Sequence, residues 1–242
     1  MIISQRYTAF RQFGWLFFIL ELALVFCGVF IALQVDNWDR DQERRDGLVE
    51  MLERIEIELN LNEDIIAQSN ALAAGGEPQR RAVFEILERC EAETDWRLPL
   101  NEVINDLLRD FSPALSSITL EQLNRRDPYL DLLSPAFRTA LSAYTNQLLE
   151  EQRQLAFNAS LRWSQHVWSH PLVTVGEGFA MLQVADSASL DMLCQDNDFR
   201  RQLFASAGFV MSTTTRLKRF ATYMETFRAA LAQEQQQLLQ GA

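Results

Sequence analysis

Lysine is almost missing from this 242-residue chain: Lys218 is the single one among 22 basic residues. Histidine (2), cysteine (3), proline (6) and glycine (9) are sparse too. Each shortage excludes something. Acidic residues number 33 against those 22, so the formal charge is −11. Such a surface repels phosphate backbones and anionic headgroups, so neither a nucleic-acid partner nor a polybasic lipid-binding surface is expected. Arginine in place of lysine, with abundant Ala and Leu, points to a GC-rich bacterial genome.

Three cysteines (Cys27, Cys90 and Cys194) do not make a disulfide framework, and no C-x-x-C spacing exists. Cys27 lies in an apolar run and reads as a small packing residue. Cys90 and Cys194 can pair only in an oxidising compartment, and the sequence leaves that open. There is no nucleophile–base pair, no phosphate loop and no cofactor fingerprint. Gly176-Glu177-Gly178 lacks the third glycine and the strand–turn–helix context of a dinucleotide site. The chain is therefore expected to be neither an enzyme nor a cofactor carrier.

What the chain does have is one long apolar run, FGWLFFILELALVFCGVFIALQV, from Phe13 to Val35. At 1.5 Å per residue it reaches roughly 34 Å, enough to cross a ~30 Å hydrocarbon layer. A secretory signal would be shorter and would end in a small-residue cleavage site. Here the run ends at Gln34-Val35-Asp36-Asn37-Trp38, so an uncleaved anchor is expected, with Trp15 and Trp38 at the two headgroup levels. Orientation is open from the flanks. Arg6 and Arg11 precede the run, while Arg40, Arg44 and Arg45 follow it, mixed with acids that count for little.

Glu21 lies well inside the run, where an acidic residue costs about 2.5–3.5 kcal/mol and so faces protein or water. Gly14, Glu21, Gly28 and Ala32 fall within roughly 40° on a helix turning 100° per residue. Small residues let helices approach, and a carboxyl can hydrogen-bond across the contact. The favoured reading is a helix–helix packing face centred on a protonated Glu21. A proton or ion relay, or a neutral Glu that snorkels or meets a backbone carbonyl, are the alternatives.

The stretch from Glu21 through Gly28 to Ile31-Ala32-Leu33-Gln34, then Asn37-Trp38, resembles a family of uncharacterised bacterial single-pass membrane proteins. A second stretch, Ser117 to Leu123 and then Phe137-Arg138-Thr139-Ala140-Leu141 to Tyr144, is similar to that family's soluble core. Asn124-Arg125-Arg126-Asp127-Pro128 replaces its usual Ser-Gly turn. The resemblance touches about the first 150 residues. It implies an inner-membrane anchor, an inside N-terminus and a helical domain outside; it implies no activity.

Beyond the anchor, Leu48, Leu52, Ile55, Leu59, Asn62 and Ile66 are spaced four and three, a heptad seam with one polar position. It serves either a coiled coil or an amphipathic helix on its own domain, the latter favoured. Gly75-Gly76 and Pro78 end it. Further helices are expected over 79–93, with Val83, Ile86, Leu87 and Cys90 on one side, and over 100–111. Another covers 119–124 with Thr119 as cap. From Ser134-Pro135 a long helix is expected to run to about Ser169. Trp96 to Pro99 reads as a break. Leu172 to Glu177 reads as an extended link, and 187–194 as a short helix. A last helix should start at Asp198, interrupted near Gly208, with a polar tail that frays. The expected fold is all-α: a flank (1–12), a transmembrane helix (13–35), a helical stalk (36–76) and a helical domain (77–242), elongated and antiparallel.

His166 and His170 are four apart, which on a helix puts both on one face as metal sites use. No third ligand is evident, Pro171 biases His170 away from helix, and a helix C-terminus suffices to explain histidine there. They are weak candidates only, and no metal is expected. Trp163, Trp168, Tyr144 and Phe157 suggest an aromatic core rather than a ligand pocket. The Asp/Arg-rich run after Trp38 reads as a solvated face, and the sequon Asn158-Ala159-Ser160 carries no meaning in a bacterial protein. The functional expectation is a membrane-anchored helical interaction protein whose partners are the bilayer and either a second copy or another membrane protein. A membrane-tethered small-molecule sensor, with a cavity near Trp163 and Trp168, is the alternative, and an ion-coupled subunit using Glu21 a third.

Overall fold

The computed structural model describes residues 4–92, 95–109, 113–125, 127–164, 166–176 and 181–240, with side chains described from residue 19 onward save 127, 128 and 162–164. The chain is almost wholly helical. Helix α1 runs Ser4–Gly75, α2 Glu77–Arg89, α3 Arg97–Leu107, α4 Ile118–Asn124, α5 Asp127–Leu130 and α6 Pro135–Ser164. A 3-10 turn at Val167–Ser169 and strands β1 (Val173–Val175) and β2 (Leu182–Val184) precede α7 (Leu190–Gln195) and α8 (Asn197–Gln240).

The chain divides into two units, Met1–Met51 and Leu52–Ala242. In the first, the apolar run is helical, its mean hydropathy is 2.1 over an 18-residue window, and none of that window is buried. By length and composition this helix is able to cross a membrane. After it, Arg40 pairs with Asp36 at 2.9 Å and Arg44 with Asp41, both at exposed helix spacings.

In the second unit, the seam Leu52, Ile55, Leu59, Asn62 and Ile66 is buried. Helices α6 and α8 supply matching faces. Phe137 stacks on Phe227 at 5.7 Å, and Tyr144 on Phe227 at 4.4 Å and on Phe220 at 5.7 Å. Glu151 meets Arg216 at 3.1 Å. As the number rises on α6 it falls on α8, so the two run antiparallel. Each fully buried Phe or Leu along this seam contributes about 1.5–3 kcal/mol.

A second cluster joins α2, α3, α7 and the start of α8 through Val83, Leu87, Ile104, Leu193, Phe199 and Leu203. Several expected boundaries move. Pro99 does not break the chain: it sits in the first turn of α3, where its missing N–H costs nothing. The N-cap of α4 is Ser117, not Thr119. Helix α7 begins at Leu190, capped by Ser189, whose hydroxyl accepts from the Met192 N–H. Helix α8 passes Gly208 and remains helical to Gln240 in the polar tail. The extended link is strand β1, which pairs antiparallel with β2, Thr174 opposite Gln183. The helix expected over 100–111 begins at Arg97 and ends at Leu107; residues 110 and 111 lie outside the described ones.

Candidate functional site

The candidate packing face falls on α1. Gly14 is helical, and its surroundings, like those of Trp15, lie outside the described side chains. Glu21, Gly28 and Ala32 are exposed. A methyl group built at Gly28 meets nothing within 4 Å. The described part of the face, Glu21 to Ala32, is thus exposed, with a carboxyl among exposed Leu20, Leu24 and Val25. A carboxyl so placed in hydrocarbon must find a donor or acceptor on another molecule or be neutral. Trp38 is exposed at the far end of the run.

The histidines do not share a helical face. Helix α6 ends at Ser164, and both His166 (ψ 138°) and His170 (ψ 137°) are extended, flanking the 3-10 turn. The rule that restricts a residue before proline explains His170. His170 is buried and satisfied: its Nδ1 accepts from the Leu172 N–H at 3.2 Å, leaving Nε2 to face Asp196 Oδ2 at 3.4 Å. The ring edge meets Phe199 at 5.4 Å. Asp196 in turn caps α8, its Oδ1 accepting from the Asp198 and Phe199 N–H groups. His170 is therefore a strut between the turn and the start of α8. His166 lies on Trp168 at 4.6 Å. Among the described residues no group of three potential metal ligands occurs.

The aromatic expectation divides. Tyr144 is core, Trp168 packs on the second cluster, and Phe157 is 55% exposed and belongs to no core. The Trp163 side chain lies outside the described ones. Two clefts are described in the second unit, and neither is lined by Trp168. One of about 610 Å³ has Phe84, Phe204 and Met211 in its wall with Arg81, Glu85 and Lys218. One of about 760 Å³ is lined by Gln79, Asn101, Asp106 and Arg109 among others.

Several polar groups organise this unit, and of them the sequence singled out only Asn62. Arg80 is buried against Asp106 Oδ2 at 2.5 Å and donates to the Ala73 carbonyl. Asn62, the polar seam position, does not pair helices. It clamps an extended segment, its Nδ2 donating to Ser116 O at 2.9 Å and its Oδ1 accepting from Ser116 N at 2.7 Å. Glu58 accepts from the Thr119 N–H at 2.7 Å. Glu234, near the end of α8, accepts from the Ser134 N–H (2.8 Å) and hydroxyl (2.5 Å) at the start of α6. Asn101 and Asn105 take the place of a third strand. Their Oδ1 atoms accept from Val184 N and Leu182 N, each at 2.8 Å.

Comparison with protein-family models, curated proteins and solved structures finds no match. The site thus stands on its geometry alone: an exposed, carboxyl-bearing stretch of an apolar helix, and a helical unit in which buried Asn62, Arg80 and Glu234 are bonded within the chain. Cys90 and Cys194 are free thiols, the first exposed and the second buried. Burial pushes the Cys194 thiol up to about 12, and the neighbouring Cys90 adds to the rise. Burial also raises Tyr144 well above the ordinary phenol range, beside Asn62 and Glu58.

Proposed function

We propose that this chain is a membrane-anchored helical interaction protein that associates, with itself or another membrane protein, through the Gly14–Glu21–Gly28–Ala32 face. The observation that carries the reading is the open position of Glu21 on an otherwise apolar, unburied helix. Close helix approach at Gly28 and Ala32 brings backbone carbonyls within reach of a protonated Glu21, so a partner helix satisfies the carboxyl that lipid cannot. The soluble part, read as an elongated antiparallel helical bundle, then presents its surface to what lies outside the membrane, as the resemblance to single-pass bacterial proteins implies.

The test is cysteine crosslinking in membranes, in a background carrying C27A, C90S and C194A. Gly28→Cys gives a crosslinked dimer or ladder, and Phe30→Cys, about 180° away on the helix, does not. No crosslinked species from position 28 overturns the reading. Glu21→Gln keeps a hydrogen-bonding group but cannot carry a proton, so it preserves the crosslink if the role is packing, while Glu21→Leu weakens it. Sidedness is read in a separate chain that keeps Cys90, whose exposed thiol reacts in intact cells with a membrane-impermeant maleimide after reduction if the domain is outside.

A further inference from the structure

The fold brings together two thiols that are far apart in the chain. Cys90 closes α2 in a left-handed conformation, φ 54° and ψ 30°, where glycine or asparagine is the usual occupant. Its sulfur is exposed and lies 3.9 Å from the Leu87 carbonyl. Cys194 sits in α7, buried in the same cluster as Leu87 and Leu193. Helices α2 and α7 pack together, which sets Cys194 beside Cys90. One sulfur is open to solvent; the other is held behind it.

We propose that Cys90 and Cys194 form a reversible disulfide, a redox-modified site that fastens the end of α2 to α7. This stands apart from the reading of the membrane face. The co-reactant is a disulfide, small (such as oxidised glutathione) or protein-borne. The Cys90 thiolate attacks one sulfur of it, breaking that S–S bond and releasing one thiolate, which is protonated. The Cys194 thiolate then attacks the Cys90 sulfur of the mixed disulfide, forming Cys90–Cys194 and expelling the second thiolate. The pair loses two electrons and two protons, and the incoming disulfide becomes two thiols. Cys90 is the attacking residue because it is exposed; Cys194 resolves because it lies behind. The groups around Cys194 are Cys90 on α2, Asp191 on its own helix and Arg200 on α8, the last of which favours its thiolate. With its thiol raised by burial, the second step is the slow one near neutrality and quickens as pH rises.

The test uses the full chain carrying C27A in detergent, equilibrated with oxidised and reduced glutathione and read by intact mass. The expected product has lost two hydrogens, carries no glutathione, and has lost both maleimide-reactive thiols together. Its unfolding midpoint is higher than that of the reduced chain, and dithiothreitol abolishes the difference. C194A should instead trap glutathione on Cys90. C90S, altered only at an exposed position, should take up no glutathione and show no midpoint shift on oxidation. A stable glutathione adduct on Cys90 with Cys194 still a thiol overturns the proposal, as do two thiols that persist under oxidising conditions.

Discussion

Arg80 sits with its guanidinium between the Asp106 carboxylate and the Ala73 carbonyl, and a methyl group at Gly76 would collide with both side chains of the pair. The glycine is there to make room for the charge. Removing one partner of such a pair strands the other in a poorly solvated site. Asp106→Ala should therefore destabilise the protein by about 3–5 kcal/mol, measured by urea denaturation, and Gly76→Ala should fall short of that because Arg80 can shift. Tyr144 behaves differently. Its hydroxyl is enclosed without a well-formed hydrogen bond while its ring stacks on Phe220 and Phe227. Tyr144→Phe should change stability by less than about 1 kcal/mol, whereas Tyr144→Ala should cost about 3–5 kcal/mol in lost packing. Both Tyr144 and Cys194 hold their protons more tightly folded than unfolded. The unfolded chain thus releases protons first as pH rises, and stability declines above about pH 9. The urea midpoint should fall from there towards pH 12, and less steeply in a variant with Y144F and C194A.

Individual helices were legible where apolar residues repeat at three and four and where a cap announces the start. Ser134-Pro135 opens α6, its hydroxyl accepting from the Phe137 N–H at 3.1 Å, and the 48–66 seam is buried throughout. That Glu21, Gly28 and Ala32 stand exposed along one helix follows from the apolar run and the helix angle alone. What escaped the sequence was long-range satisfaction of backbone groups. Nothing near Asn101 and Asn105 says that strand β2 will arrive to be bonded, and nothing in the glutamine-rich tail marks Glu234 as the cap of a helix begun 100 residues earlier. The histidines show the reverse: the helix expected to reach about Ser169 ends at Ser164, so the four-residue spacing of His166 and His170 has no helical face to act on. The tertiary roles can be checked. Glu234→Ala leaves the Ser134 N–H unpaired and should cost about 1–3 kcal/mol. Asn105→Ala should cost a similar amount and also speed hydrogen exchange at Leu182, while Thr174, bonded within the hairpin, changes less.

Across the whole molecule, the apolar surface is unevenly distributed: the first unit exposes a continuous hydrophobic helix, while the second packs a core and exposes apolar side chains singly, as at Ile57, Phe157 and Met211. A fragment of residues 36–242 should stay in solution without detergent and unfold cooperatively, by circular dichroism and sedimentation, while the full chain requires detergent or lipid. A fragment that aggregates would mean the second unit depends on the first. Charge is unevenly distributed as well, in kind as much as in sign. Arginine does nearly all the cationic work, its planar fork making several bonds at once: Arg80 grips the Asp106 carboxylate and the Ala73 carbonyl, and Arg97 gathers the carbonyls of Ala185, Asp186 and Ala188. The consequence is chemical. With Lys218 as its one side-chain amine, exposed on α8, the protein is nearly invisible to acylating reagents and to enzymes that acetylate or ubiquitinate lysine. Side-chain amine chemistry can reach it at a single defined point.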